Sequence, residues 1–416
     1  MDKKIAFQPH LASRRRPPAS LLALLVLATG GVQAGSLGGA ISSALEQAAQ
    51  QPRVGAIRAE RDAVRRQAES LIAEDPALRV KHISDRIDQD QGAYEWEAMV
   101  DLPLWMPGQR DARQGVATAI GGQADTLTRL LRWEMAGRVR EALWNTALAQ
   151  GRLTQAEQAL ASARALEATV AKRVKAGELA RVDLLVARQD ALDREAELQA
   201  AQVEHARTLA IYRQLTGESE LPEPLFESAP KPEATTELPA EHPLLSDADS
   251  ALALARAERA RAQSERRGNP VLSLGGIRTR DARGTDAQHA VQMEINLPFG
   301  LASQSAPKIA AAERSYTERM ADFQQTRRQA EQRLTEARVN RSGAAEALTV
   351  AERRHSLAHE ALDLVRRAFD LGETDLTTRL RAEERARQAS MDLELRRLEQ
   401  GRALAEINQA LGVVPE

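Results

Sequence analysis

Two histidines set four residues apart, His355 and His359, are the residues of this sequence best spaced to do chemistry. On a helix that spacing puts both imidazoles on one face, with Asp363 a turn further, and such a trio could ligate a metal ion. The same face lies opposite a Leu357/Ala361/Leu364 stripe, where solvated polar side chains usually sit, so the solvated reading is the stronger one. Other chemistry is missing. There is no cysteine, hence no disulfide, zinc–thiolate site or cysteine nucleophile. No glycine-rich phosphate loop, nucleophile elbow or His-Glu-x-x-His motif occurs. Glu95, Glu97 and Asp101 share one side of a period-two pattern and could concentrate cations weakly, or simply form a solvated wall. No catalytic residue and no cofactor is assigned.

The elements that must carry these residues are helical. The 416 residues are 43% apolar, 28% charged and only 3% aromatic, a composition typical of long helices rather than an aromatic-centred core. A net charge of −2 implies no basic face for nucleic acid. Residues 1–34 read as a signal peptide, with a basic start (Lys3, Lys4, Arg14, Arg15, Arg16), an apolar run at Leu21–Ala28, and a Val32-Gln33-Ala34 cleavage site. Their removal takes away five basic residues and one acidic one, so the net charge moves from −2 to −6. The exported chain is acidic.

A shift of 195 residues lays the sequence on itself without gaps. Leu102-Pro103 falls on Leu297-Pro298, and Arg138, Glu141, Ala142 and Asn145 fall on Arg333, Glu336, Ala337 and Asn340. Gly177-Glu178 falls on Gly372-Glu373, and Gly217 on Gly412. One constant offset means two copies of one unit. Residues 35–216 form the first, with strands about 77–104; residues 243–416 form the second, with strands about 270–299. Proline-rich residues 217–242 link them, since proline stops helices. Each copy predicts a helix (about 38–74 and 243–267), a strand pair closed by Pro103 or Pro298, and then a proline-poor helix (109–175, 308–370) roughly 100 Å long. A break at Gly177 or Gly372 and a returning helix of some 35 residues complete the unit.

Leu357, Ala361, Leu364, Ala368 and Leu371 alternate by four and three, as do most of Leu153, Ala156, Leu160, Ala163, Leu166, Val170 and Val174; these stripes predict helix-on-helix seams, in a coiled coil or an ordinary bundle. Between Tyr94 and Leu102 the apolar residues alternate strictly with Glu95, Glu97, Met99 and Asp101. Val291, Met293, Ile295 and Leu297 alternate with Gln292, Glu294 and Asn296. Strands near ten residues long, apolar on one face, fit a membrane barrel, with Tyr94, Trp96 and Trp105 as interfacial aromatics; soluble hairpins capping a bundle fit as well. Four strands cannot close a barrel alone, so a barrel needs several chains.

On the duplicated unit, the Leu102-Pro103-Leu104 and Leu297-Pro298-Phe299 exits and the Ala-Gly-Glu-x-x-x-x-Asp-Leu-Leu turn at 176–185, the chain resembles the TolC-like outer-membrane efflux family over nearly all of residues 38–413. Residues 107–113, Pro-Gly-Gln-Arg-Asp-Ala-Arg, look closest to its CzcC-like branch, associated with metal-cation efflux. The resemblance implies a mainly α fold with a small membrane β part: a homotrimer whose four strands per chain make a 12-stranded barrel in the outer-membrane lipid, continued by an α-helical barrel through the periplasm. It implies a passive export channel, not an enzyme, and a periplasmic belt at 217–242. The tips at Gly177 and Gly372 would meet a periplasmic adaptor protein that couples the duct to an inner-membrane pump. Candidate aperture residues are Asp183, Asp375, Thr378 and Arg381. Asp183 matches a family position that holds the tip closed, and is expected either to pair with Arg379 or Arg381 or to complement its own helix dipole. Thr378 and Arg381 stand where the family often has acidic residues, which weakens the case for an acidic ring. A periplasmic coiled-coil adaptor or tether, and a soluble helical metal-binding protein on His355 and His359, are the alternatives.

Overall fold

The computed structural model describes residues 35–48, 51–88, 90–230 and 237–415. The signal-peptide expectation at 1–34 lies outside them. Helices α1 (Leu37–Gln47) and α2 (Gln51–Glu69) precede strands β1 (Ala77–Ser84) and β2 (Tyr94–Pro103). Helix α3 (Gln109–Lys175) follows, then α4 (Arg181–Thr216). The second copy repeats the order with α5 (Pro243–Ser264), β3 (Val271–Arg280), β4 (Gln288–Asn296), α6 (Ala302–Asp370) and α7 (Leu376–Ala410).

Three expectations about the helices are corrected. A single helix over about 38–74 is replaced by two: Ala48 takes extended geometry (φ −74, ψ 127) after α1, and Pro52 at the second position of α2 suits a helix start, where its missing N–H leaves no bond unmade. α6 begins at Ala302 rather than 308 and carries Pro307 inside its opening turns. The third correction concerns the seam of α6. In α3 the expected stripe is buried, from Ala156 through Val170. In α6 the expected Leu stripe faces outward, with Leu357, Leu364 and Leu371 exposed by 67%, 57% and 75%. The chain buries Ala351, Leu362 and Phe369 instead. α6 is apolar on two sides: one packs inside the chain, and the leucine stripe is left for something else.

The sheet is antiparallel in the order β1-β2-β3-β4, so the two hairpins of the two copies join edge to edge. Beneath it α3 packs on α2 and α5, and α5 on α6, repeating the order of the strands. Towards the turns α3 packs on α4 and α7, and α7 on α6. Among the described residues no helix is long and apolar enough to cross a membrane.

The described start of the proline-rich segment, residues 217–230, is a strap. Glu227 accepts from Arg140 Nε and Nη2 at 2.8 and 2.7 Å and from Asn408 Nδ2 at 2.9 Å, tying the strap to α3 and α7. Phe226 packs edge-on against Trp144, ring centroids 5.6 Å apart. Gly401 admits both rings, because a Cβ there would collide with each. Ile41, Trp144 and Tyr212 fill the core beside the strap and draw α1, α3 and α4 together.

Candidate functional site

The sheet has two chemically distinct faces, set by the period-two pattern. One carries apolar rows that run straight across the strands: Leu102–Leu272–Ile295, Leu78–Val100–Leu274–Met293 and Val80–Ala98–Gly276–Val291. These side chains find no cover within the chain; Leu78, Val100, Leu274, Val291 and Met293 are all exposed. The other face is a charge ladder. Arg79 reaches Asp101 at 3.1 Å and Glu294 at 4.0 Å, Ser273 donates to Asp101 at 2.5 Å, and Lys81 meets Glu95 at 2.9 Å and Glu97 at 3.6 Å. Met99, on this polar face, is buried over Gly275, where a Cβ would strike the Ala98 carbonyl and Met99 itself.

Aromatics mark both ends of the sheet. Tyr94 and Trp96 stand near the β1–β2 turn, while Trp105 lies at the joint to the helices, donating to the Ser70 carbonyl at 2.9 Å. Nine residues separate the tryptophans, roughly 30 Å of strand. At the tilt of about 40° that barrel closure demands, this is about 23 Å, close to the ~25 Å apolar band of a membrane barrel. Pro103 ends β2, and its carbonyl accepts from Ala73 N at 2.9 Å; Pro298 follows β4 and packs beside Gly268. Pro107-Gly108-Gln109 builds the same joint: Gly108 has φ +84, and the Gln109 side chain accepts from Met106 N at 3.0 Å.

The two tip turns are built alike. After α3, Glu178 N–H donates to Arg173 O and Gly177 N–H to Val174 O; after α6, Glu373 N–H donates to Ala368 O and Gly372 N–H to Phe369 O. This double bond pattern needs left-handed geometry at its fifth residue, and Gly177 (φ +82) and Gly372 (φ +78) supply it. Asp183 turns back on its own helix, its carboxylate accepting from Ala180 N at 3.0 Å. Arg379, an expected partner of Asp183, instead meets Asp370 at 3.5 Å and Glu383 at 3.2 Å within the chain. Asp375 caps α7, accepting from Thr378 N at 2.6 Å. That bond, with the Thr378 hydroxyl and the nearby Arg381 charge, holds the Asp375 carboxyl below the usual range.

A clamp that the sequence did not announce joins the two tips. The Phe369 ring lies between the guanidinium groups of Arg173, 4.7 Å from its centroid, and Arg379, at 4.8 Å. Arg173 also donates to the Phe369 carbonyl at 3.3 Å and the Asp370 carbonyl at 3.4 Å, capping α6 from the other hairpin. Leu166, Val170, Ala187 and Leu376 pack with the ring. Further from the tip, Arg194 bridges to Glu384 at 3.1 Å and Arg387 to Glu197 at 3.6 Å, tying α4 to α7. A groove of about 620 Å³ lies between the hairpins here, with Arg381, His359 and Glu384 on its walls.

The histidines do not lie on a solvated face, and that expectation is corrected. They share the side of α6 that packs on α7: both are half-buried, His359 Nε2 is 2.8 Å from Ser390 Oγ, and the two rings are 4.3 Å apart. Burial first, then the His359 and Arg397 charges, lower the His355 pKa. Among the described residues no group of three or more His, Asp or Glu is placed to hold a metal ion, and the pair contributes to the α6–α7 contact.

Two further helix faces remain uncovered. On α6 an apolar residue recurs every seven positions, at Val350, Leu357, Leu364 and Leu371, all exposed. On α4, Val182, Leu185, Leu192 and Val203 form a matching exposed stripe. α4 and α6 are the outermost helices of the tip end, and β1 and β4 the open edges of the sheet.

Residues 236–413 match the family model described as outer membrane efflux protein. No curated protein matches. Among solved structures the chain is similar to the outer membrane protein VceC from Vibrio cholerae, at 17% identity and a TM-score of 0.70, over 91% of this chain and 97% of that one. It is also similar to the CmeC outer membrane channel of Campylobacter jejuni (13% identity, TM-score 0.66, 96% and 94% covered). The open state of the MtrE outer membrane channel of Neisseria gonorrhoeae is a third (16% identity, TM-score 0.66, 91% and 89% covered).

Proposed function

We propose, for a chain that is TolC-like in fold and carries an outer membrane efflux protein region over residues 236–413, the role of outer-membrane duct in a tripartite efflux or secretion system. The observation that carries this reading is that the open strand edges and the uncovered helix stripes fall on the same two sides of the chain. β1 and β4 have open edges, and α4 and α6 have uncovered apolar stripes. A second copy offers the complement of each. β4 pairs with β1 of the next chain, and the Leu357 stripe of α6 packs on the Val182–Val203 stripe of its α4. Three copies close a 12-stranded barrel, apolar outward, over a 12-helix tube. The charge ladder of Arg79, Asp101 and Glu294 then lines a wet lumen.

In this assembly the barrel sits in the outer membrane and the helices cross the periplasm. Residues 217–242 form a belt, supported by the Glu227 anchorage. The tips at Gly177 and Gly372 meet a periplasmic adaptor that links the duct to an inner-membrane pump, and Asp183, Asp375, Thr378 and Arg381 line the aperture. The Phe369 clamp and the Arg194–Glu384 bridge hold each chain's two hairpins together at rest. No bond is made or broken by this chain. Cargo choice rests with the pump: the Pro107-Gly108-Gln109 stretch, which carries the likeness to a metal-cation branch, serves the strand-to-helix joint.

Fractionation tests the proposal. The duct is expected in the outer membrane as a detergent-stable trimer, and its deletion is expected to raise susceptibility to exported toxins. Recovery of a soluble periplasmic monomer overturns it.

A further inference from the structure

The outward face of the sheet changes character abruptly at one level. Below it run the three apolar rows; at it runs the row His82–Trp96–Arg278–His289, one residue from each strand. The next level towards the turns holds Ser84, Tyr94 and Arg280. The strand carboxylates Glu95, Glu97, Asp101 and Glu294 all point to the opposite face, as the register requires. Basic groups therefore stand on the outward side as a band directly beyond the apolar one, and none of the four strand carboxylates shares their face.

The two arginines are held ready to bind. The Arg280 guanidinium stacks 4.6 Å from the Tyr94 centroid and donates to the Gly92 carbonyl at 3.1 and 3.0 Å; Arg278 lies 5.9 Å from the same ring. Among the described residues neither is ion-paired. The His82 and Trp96 rings stack at 4.0 Å, making a flat platform beside them. Asp90, in the turn beyond, is taken by Arg283 at 2.7 Å. Arginine presents a fork of donors that fits phosphate oxygens, and an aromatic–basic girdle at the rim of an apolar band is where lipid headgroups sit.

We propose that Arg278 and Arg280, with the His82–Trp96 platform, bind the phosphate groups of a phosphorylated outer-leaflet lipid whose acyl chains lie on the Val80–Ala98–Gly276–Val291 row below. The inference rests on the barrel reading, which decides that this face meets lipid. It assigns a direction to the barrel wall: the anionic headgroups belong at the turn end.

The test uses purified trimer reconstituted in phosphatidylcholine with diphosphorylated lipid A, then delipidated in detergent and weighed by native mass spectrometry. The wild-type trimer is expected to retain lipid A, and the Arg278→Gln/Arg280→Gln trimer roughly tenfold less. Arg278→Lys/Arg280→Lys is expected to retain an intermediate amount. Dephosphorylated lipid A should be held by the wild-type trimer roughly tenfold less than diphosphorylated lipid A. This arm decides the matter even if the variants fail to assemble. Equal retention of the phosphorylated and dephosphorylated lipids overturns the proposal. So does full displacement by millimolar inorganic phosphate, which would make the site one for free anions. A trimer indifferent to lipid phosphate sinks this inference alone, whereas a soluble monomer sinks the duct reading itself.

Discussion

Leu357 and Leu362 sit five residues apart on α6, and the structure gives them different work. Leu362 is 4% exposed and packs within the chain; Leu357 is 67% exposed and packs only in the proposed trimer. Full burial of a leucine side chain stabilises by about 1.5–3 kcal/mol, so covering the exposed two-thirds of Leu357 contributes about 1–2 kcal/mol per seam. Leu357→Ala should weaken each seam by roughly 5- to 30-fold, and a closed ring of three seams by about 3–6 kcal/mol. The chain's own fold should not notice. Leu362→Ala leaves a cavity inside the chain and should cost about 2–5 kcal/mol of that fold. Light scattering on detergent-solubilised protein, followed across dilution, reads the trimer; helical circular dichroism under urea reads the chain. The expected pattern is an earlier dissociation for Leu357→Ala with an unchanged urea midpoint, and an earlier midpoint for Leu362→Ala. If the two variants shift the same observable by the same amount, or Leu357→Ala leaves dissociation untouched, the outward stripe is not a subunit seam.

Phe369→Leu keeps an apolar residue at the tip but removes both guanidinium–ring contacts, worth about 1–2 kcal/mol each around a buried ring. Single-channel recordings should show a higher open fraction, and an unchanged trace would remove the clamp from the resting lock. Gly275→Ala drives a Cβ into the Ala98 carbonyl and Met99, so it should cost about 1–3 kcal/mol and lower trimer yield; Gly276→Ala, with only the Ala290 carbonyl 3.6 Å away, should be tolerated. His242 is buried, accepts from Leu244 N at the start of α5, and has its pKa lowered by burial first and by Arg333. A histidine with a depressed folded pKa gives stability that is complete above its unfolded value of 6.5 and is lost as pH falls through the folded value. Thermal stability should therefore decline below about pH 6.5, and His242→Asn, which can still cap the helix, should flatten that decline. Glu227→Ala leaves Arg140 buried without its carboxylate and should destabilise by about 3–5 kcal/mol in urea melts.

The repeat, the two strand pairs and both tip glycines were legible because each has a local signature: a constant offset, a period of two, a glycine at positive φ. The outward stripe of α6 was legible as a seam but not as whose seam. Heptad spacing says that Leu357 and Leu364 want a partner helix, and only the packing of Ala351, Leu362 and Phe369 shows that the partner is not in the same chain. The error over His355 and His359 follows directly, since the side opposite a leucine stripe was read as wet. The Phe369 clamp and the Phe226–Glu227 strap left no periodic trace. Each depends on one side chain reaching an element about 80 to 200 positions away. Arg173 offered a partial signal as a cation in the last turn of α3, where it also suits the helix dipole.

The clamp also breaks the pseudo-symmetry of the duplicated chain. At the 195-residue offset, Phe369 corresponds to Val174, Arg173 to Ala368, and Arg379 to Leu184, so the ring and its two cations have no counterpart in the other copy. In the proposed trimer the sheet and the long helices would approximate sixfold repetition around the tube axis. At the tip that repetition halves. One hairpin of each chain grips and the other is gripped, so the proposed trimer would offer an adaptor two alternating kinds of tip to distinguish and fix its binding register to steps of 120° instead of 60°.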